Sequence, residues 1–160
     1  IRSVSAQPVT SFFLYLKGEK IMLKKTIKYT DYNGVEREDT FLFHLTKAEL
    51  MEMEMGTTGG LGEMIRNIVK SEDAPAIIKI FKDIILKAYG EKSADGKRFI
   101  KVSDNGTPLS IGFSQTEAYS QLFMELATNA DEAAKFIRGI IPNDIDISEE
   151  ELKKLQEQNN

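Results

Sequence analysis

The stretch MEMEMGTTGGLGEM, residues 51–64, holds four methionines and four glycines in fourteen positions. Glycine-rich loops can cradle phosphate, because bare backbone N–H groups approach the ligand closely. A phosphate-binding loop also needs a lysine directly after its last glycine and a buried strand before its first. Here Gly56-Thr57-Thr58-Gly59-Gly60-Leu61-Gly62 runs into Glu63, a carboxylate that repels phosphate, and helical spacing precedes it. The dinucleotide fingerprint fails for the same lack of a strand. Gly56, Gly59, Gly60 and Gly62 are therefore expected to form a flexible joint between two helices. Met51, Met53 and Met55, with Leu61 and Met64 beyond the joint, become candidate partner-binding residues. Three methionines on one short helix cannot all face one small core, and methionine surface adapts to varied apolar partners.

Other chemistry is poorly provisioned. The serines lack a G-x-S-x-G frame and have one histidine, His44, to call on. Cysteine is absent, which removes disulfides and thiolate metal sites. Glu52/Glu54 and Glu149/Glu150 fall on exposed faces or tails, where nothing raises a carboxyl pKa. Asp104-Asn105-Gly106 does not extend into a calcium loop. No catalytic or metal constellation is found, no cofactor is implied, and a non-enzymatic protein is expected.

The elements that carry these residues follow from periodicity. Leu23, Lys25, Ile27 and Tyr29 alternate with polar neighbours as in a strand. Asn33-Gly34 is expected to supply both positive-φ residues of a tight hairpin. The return strand places Phe41, Phe43 and Leu45 on one face, with Leu42 and His44 on a partly exposed other face. Thr46-Lys47-Ala48-Glu49 is a capping box opening a helix to about Met55, which Gly56 can stop. Leu61, Met64, Ile65, Ile68 and Val69 make an apolar helical stripe. A further helix is expected from an Asp73 cap, with Pro75 in its first turn, to Tyr89. It buries Ile77, Ile78, Phe81, Ile84, Ile85 and Ala88, and Gly90 ends it. Asp95-Gly96 predicts a turn before a short strand over Phe99, Ile100 and Val102, and residues 103–113 read as an open loop. Ser114-Gln115-Thr116-Glu117 predicts a second capping box, with Tyr119, Leu122, Phe123 and Leu126 following at helical spacing. Asn129 caps a last helix burying Ala133, Phe136, Ile137 and Ile140, and Pro142 closes the domain. The fold class is α+β, mostly α: an N-terminal β-hairpin, about five helices and a possible second short hairpin.

Length suits one domain, and a chain of 160 residues buries roughly 70% of its unfolded surface. The net charge of −4 sits entirely in residues 143–160, which carry six acids and two lysines. Residues 1–142 balance, so no basic face marks the chain for nucleic acid. No run reaches the length of a membrane span. The acidic terminal segment has only Leu152 and Leu155 as apolar residues from Ser148 on, so it should fray or wait for a partner. Residues 1–21 lack an initiating methionine. Lys17-Gly18-Glu19-Lys20-Ile21-Met22 can be encoded with a purine-rich AGGAG shortly before ATG, the layout of a bacterial ribosome-binding site. Residues 1–21 are accordingly read as translated upstream sequence or a non-native extension, the alternative being a real strand around 11–16. The globular domain is placed at 22–142 and the acidic tail at 143–160.

Three stretches carry a resemblance: MLKKTIKYTDYNGVERE with FLFHLTKAEL, then IIKIFKDIILKAYGEKSADGKRFIK, then QTEAYSQLFMELATNADEAAKFIRGIIP. Together they resemble the small tail assembly chaperones of long-tailed bacteriophages infecting Gram-positive bacteria. The resemblance implies a non-enzymatic protein of the host cytoplasm. It would bind the tape measure protein and keep it soluble until the tail tube polymerises around it. It also implies self-association, and a longer frameshifted form that could meet the tail tube protein. The other class in play is a structural or adaptor protein retained in the virion.

Overall fold

The computed structural model describes residues 22–56 and 74–142, without the side chains of 54–56, 74–77 and 130. Along the chain run β1 (Leu23–Thr30), β2 (Glu36–Phe43), α1 (Lys47–Gly56), α2 (Ala74–Ala88), β3 (Tyr89–Lys92), β4 (Phe99–Ile100), α3 (Leu109–Ser114), α4 (Glu117–Thr128) and α5 (Ala130–Ile140). The four strands form one antiparallel sheet in sequence order. The α+β class and the second hairpin are as expected from the sequence.

The period-2 pattern of β1 fixes which sheet face is covered. Leu23, Lys25, Ile27 and Tyr29 are buried or half-buried, while Lys24, Thr26, Lys28 and Thr30 are exposed. Register pairs Leu23 with Phe43 and Lys25 with Phe41, so the aromatics of β2 join the covered face. Helices α4 and α5 pack on β1. The apolar faces of α2, α4 and α5 close the core with Phe81, Ile85, Leu122, Leu126, Phe136 and Ile140. Phe43 is fully buried among Tyr89, Phe113 and Phe136, with edge-on ring centroids 5.2–5.9 Å away.

Three turns share one construction: Asp31-Tyr32-Asn33-Gly34, Ser93-Ala94-Asp95-Gly96 and Ser103-Asp104-Asn105-Gly106. In each, the glycine N–H donates to the first residue's carbonyl at 2.9–3.0 Å, and the glycine φ lies between 73° and 85°. An Asp or Asn carboxyl or amide oxygen satisfies nearby backbone N–H groups: Asp31 those of Asn33 and Val35, Asp95 that of Lys97, Asn105 that of Thr107. The first turn corrects the tight-hairpin expectation, since Gly34 alone has positive φ and Asn33 does not. A turn followed by one left-handed glycine is the three-residue hairpin loop.

Four other expectations change. Residues 103–113 are no open loop: the third turn is closed by a Val102–Pro108 bridge, and α3 follows. The cap of α4 is Thr116, whose side chain accepts from the Tyr119 N–H. Ser114 instead ends α3, with its hydroxyl donating to the Ile111 carbonyl. Gly90 does not stop a helix but lies in β3, where a Cβ would come within 2.5 Å of the Phe99 ring. Ile78 is 47% exposed rather than inward. The Thr46/Glu49 box and the Asn129 cap form as read, each satisfying an orphan N–H at a helix start. The expected helix over 61–69, the Asp73 cap and the terminal segment lie outside the described residues.

Candidate functional site

Helix α1 carries the candidate methionines, and its first turn is clamped. The Thr46 N–H donates to Glu49 Oε1 and the Glu49 N–H donates to Thr46 Oγ1, both at 3.1 Å. Leu50, 4% exposed, anchors the helix in the core. Met51 points outward at 64% exposure, whereas Met53 is half-buried against the core. The two side chains therefore divide between solvent and core, as their spacing on a short helix requires. The side chain of Met55 and all of Leu61, Met64, Gly59, Gly60 and Gly62 lie outside what is described, and Gly56 is the last residue of α1.

The clamp is tied to the body by Lys101, which no local pattern in the sequence singles out. Its ammonium donates to Glu49 Oε2 at 2.5 Å, the Lys87 carbonyl at 2.7 Å and the His44 carbonyl at 2.8 Å. Three donors meet three acceptors from the start of α1, the end of α2 and the exit of β2. A cation on the last turn of α2 also opposes that helix's negative end. Both side chains are 22% exposed. Burial pushes the Lys101 pKa below its ordinary value, with Glu49 opposing. Burial pushes the Glu49 carboxyl up, but hydrogen bonds from Lys101 and the Thr46 amide hold it below its ordinary value.

His44 sits just past β2, half-buried, its ring edge-on to Phe99 with centroids 6.0 Å apart. Its Nδ1 is buried without a hydrogen-bond partner among the described residues. Burial first, and the Lys101 charge second, lower its pKa, so the ring is held neutral. His44 is partly exposed as expected, but it lies just past the end of β2 and beside the Lys101 cluster rather than within the strand. Among the described residues, no group of three or more His, Asp or Glu is placed to hold a metal. No helix there is long and apolar enough to cross a membrane.

A second surface feature lies at the other edge of the sheet. An open groove of about 480 Å³ runs between β1 and α5, lined by Leu23, Lys25, Glu132, Lys135, Phe136, Arg138 and Gly139. Lys25 bridges Glu125 at 3.0 Å and Glu132 at 3.5 Å, fastening β1 to α4 and α5.

Neither the curated proteins nor the solved structures yield a match to this chain. A family described as phage tail assembly chaperone matches residues 22–160. That span takes in the whole sheet, the Lys101 cluster, the methionine-bearing helix and the acidic terminal segment, so the chain belongs to the phage tail assembly chaperone family.

Proposed function

We propose that this protein binds the tape measure protein of its phage and keeps it soluble during tail assembly. The observation that carries the reading is Met51, a large apolar side chain 64% exposed on a short helix whose start is clamped at Thr46, Glu49 and Lys101. A long helical partner exposes apolar stripes, and adaptable methionine surface suits stripes of varied shape. Gly56–Gly62 acts as a joint that lets α1 and the segment bearing Leu61 and Met64 adjust along such a partner. Resemblance to chaperones of long-tailed phages of Gram-positive hosts supports the host cytoplasm as the place of this work. It also supports self-association and a longer frameshifted form that engages the tail tube protein.

Co-purification with a tape measure fragment tests the reading. Met51→Glu should weaken capture, because a charge would be desolvated against an apolar helix. Folding stability should change by no more than about 0.5 kcal/mol, as at other surface sites. Met124→Glu, at a 55% exposed position on α4, serves as the control and should leave capture unchanged. Equal capture by wild type and Met51→Glu would remove α1 from the partner surface.

A further inference from the structure

The edge of β1 that the described residues leave unpaired and the acidic terminal segment are matched in pattern and charge. β1 ends the sheet, and among the described residues none of its backbone groups bonds to backbone beyond β2. The Asp31–Val35 hydrogen bond sets the antiparallel alternation, which turns the N–H groups of Lys24, Thr26 and Lys28 outward. β1 carries three lysines and no acid. Lys24 has no ion-pair partner among the described residues, nor has Arg138 in the adjoining groove. In the terminal segment, Ile145 and Ile147 alternate with Asp144, Asp146 and Ser148, the period of a strand.

We propose that residues 144–148 add to the free edge of β1 as a fifth strand. Ile145 and Ile147 then face the groove over Leu23 and Phe136, and Asp144 and Asp146 face the lysine side of β1. The connection is short. Gly139 lies against Leu23 so closely that a Cβ there would meet the leucine side chain at 2.7 Å. Pro142 follows three residues later, and the Ile140 carbonyl accepts from the Leu45 N–H just past Phe43, the partner of Leu23. The described chain therefore ends near the start of β1, and an added strand would run parallel to it. From Gly139 to Ile145 is at most roughly 20 Å of extended chain, within the reach required. Tethering replaces bimolecular encounter with a high local concentration. The same lysines disfavour a second copy on this edge, since antiparallel β1 strands would bring Lys24 and Lys28 together.

The pairing stands independently of tape measure binding, and amide hydrogen exchange on the full chain tests it. Ile145→Pro removes backbone pairing without changing charge, and the double change Asp144→Lys with Asp146→Lys reverses the charge. Either should speed exchange at Lys24, Thr26 and Lys28 by roughly tenfold or more. The Ile27 amide, bonded to β2, should not change and reports that the body remains folded. Adding Lys24→Glu to the charge-reversed chain should restore part of the protection. Equal exchange at the three amides in wild type and both variants would overturn the pairing. So would protection that rises with protein concentration, which would assign the edge to another copy.

Discussion

Replacing Lys101 with methionine removes a cation that three separate elements share. Glu49 keeps the Thr46 N–H on its other oxygen, but the Lys87 and His44 carbonyls lose a donor, and the carboxylate loses its countercharge. A fully buried orphan costs about 1–3 kcal/mol. Because both charged side chains retain 22% exposure, water relieves part of each loss, and the low end applies. Three groups at about 1 kcal/mol give about 3 kcal/mol, the lower bound for breaking one half of a buried pair. For a body of this size that corresponds to a fall in Tm on the order of 12 °C. Urea unfolding followed by circular dichroism at pH 7 measures it, with the m-value unchanged. Glu49→Gln should cost only about 1 kcal/mol, since the amide oxygen can still accept. Lys101→Met combined with Glu49→Leu should be less destabilised than the sum of the single changes, by about 1–2 kcal/mol, because no orphan carboxylate remains. A loss below about 1 kcal/mol for Lys101→Met, or strict additivity in the double variant, would refute the idea that this cation locks the three elements.

Two other outcomes follow from the same kind of reasoning. Gly90→Ala should destabilise by about 1–3 kcal/mol in the same urea assay, because the new methyl meets the Phe99 ring at 2.5 Å and the Ile100 carbonyl at 2.8 Å. Acid titration should reveal His44: its folded pKa lies below the ordinary 6.5, so the unfolded chain takes the proton first, and stability begins to fall as pH drops through 6.5. Glu49, depressed from 4.5, contributes stability above that value that is lost as pH falls further through its folded pKa. Stability measured from pH 8 to pH 3 should therefore decline in two windows, and His44→Leu should abolish the upper one.

Local signals were legible in the sequence and distant ones were not. The Thr46/Glu49 box and the Asn129 cap involve partners three residues apart, so their chemistry can be read off the chain. The sequence locates the turn at Gly34 but not its type, because an Asn-Gly pair does not reveal that Asp31 will satisfy two N–H groups and widen the loop. Gly90 looked like a helix stop. Its real partner, the Phe99 ring, arrives only when β4 pairs. α3 is too short for periodicity to appear beside a run of turn residues. Yet it delivers Phe113 into a stack on Tyr89 with centroids 4.2 Å apart. Lys101 was invisible for a related reason: its acceptors belong to residues 44, 49 and 87, which only the folded chain assembles. At the candidate site, the sequence correctly implied that Met51 and Met53 part ways, but not which faces outward.

The order of the sheet has a kinetic and evolutionary reading. Each hairpin joins strands that are neighbours in sequence, and their glycine turns close over a few residues. Among the four described strands, only the β2–β3 pairing is remote, because the chain leaves at Phe43 and returns at Tyr89 after an excursion that includes α1 and α2. Assembly of these four strands must close that long loop, and docking of the second hairpin on the first is the expected slow step. Closure entropy grows only logarithmically, so doubling the excursion would cost about 0.6 kcal/mol. By loop closure alone, insertions between Gly56 and Ala74 would therefore cost the sheet little. The stretch that follows the proposed partner surface is thus one whose length sheet closure penalises only weakly.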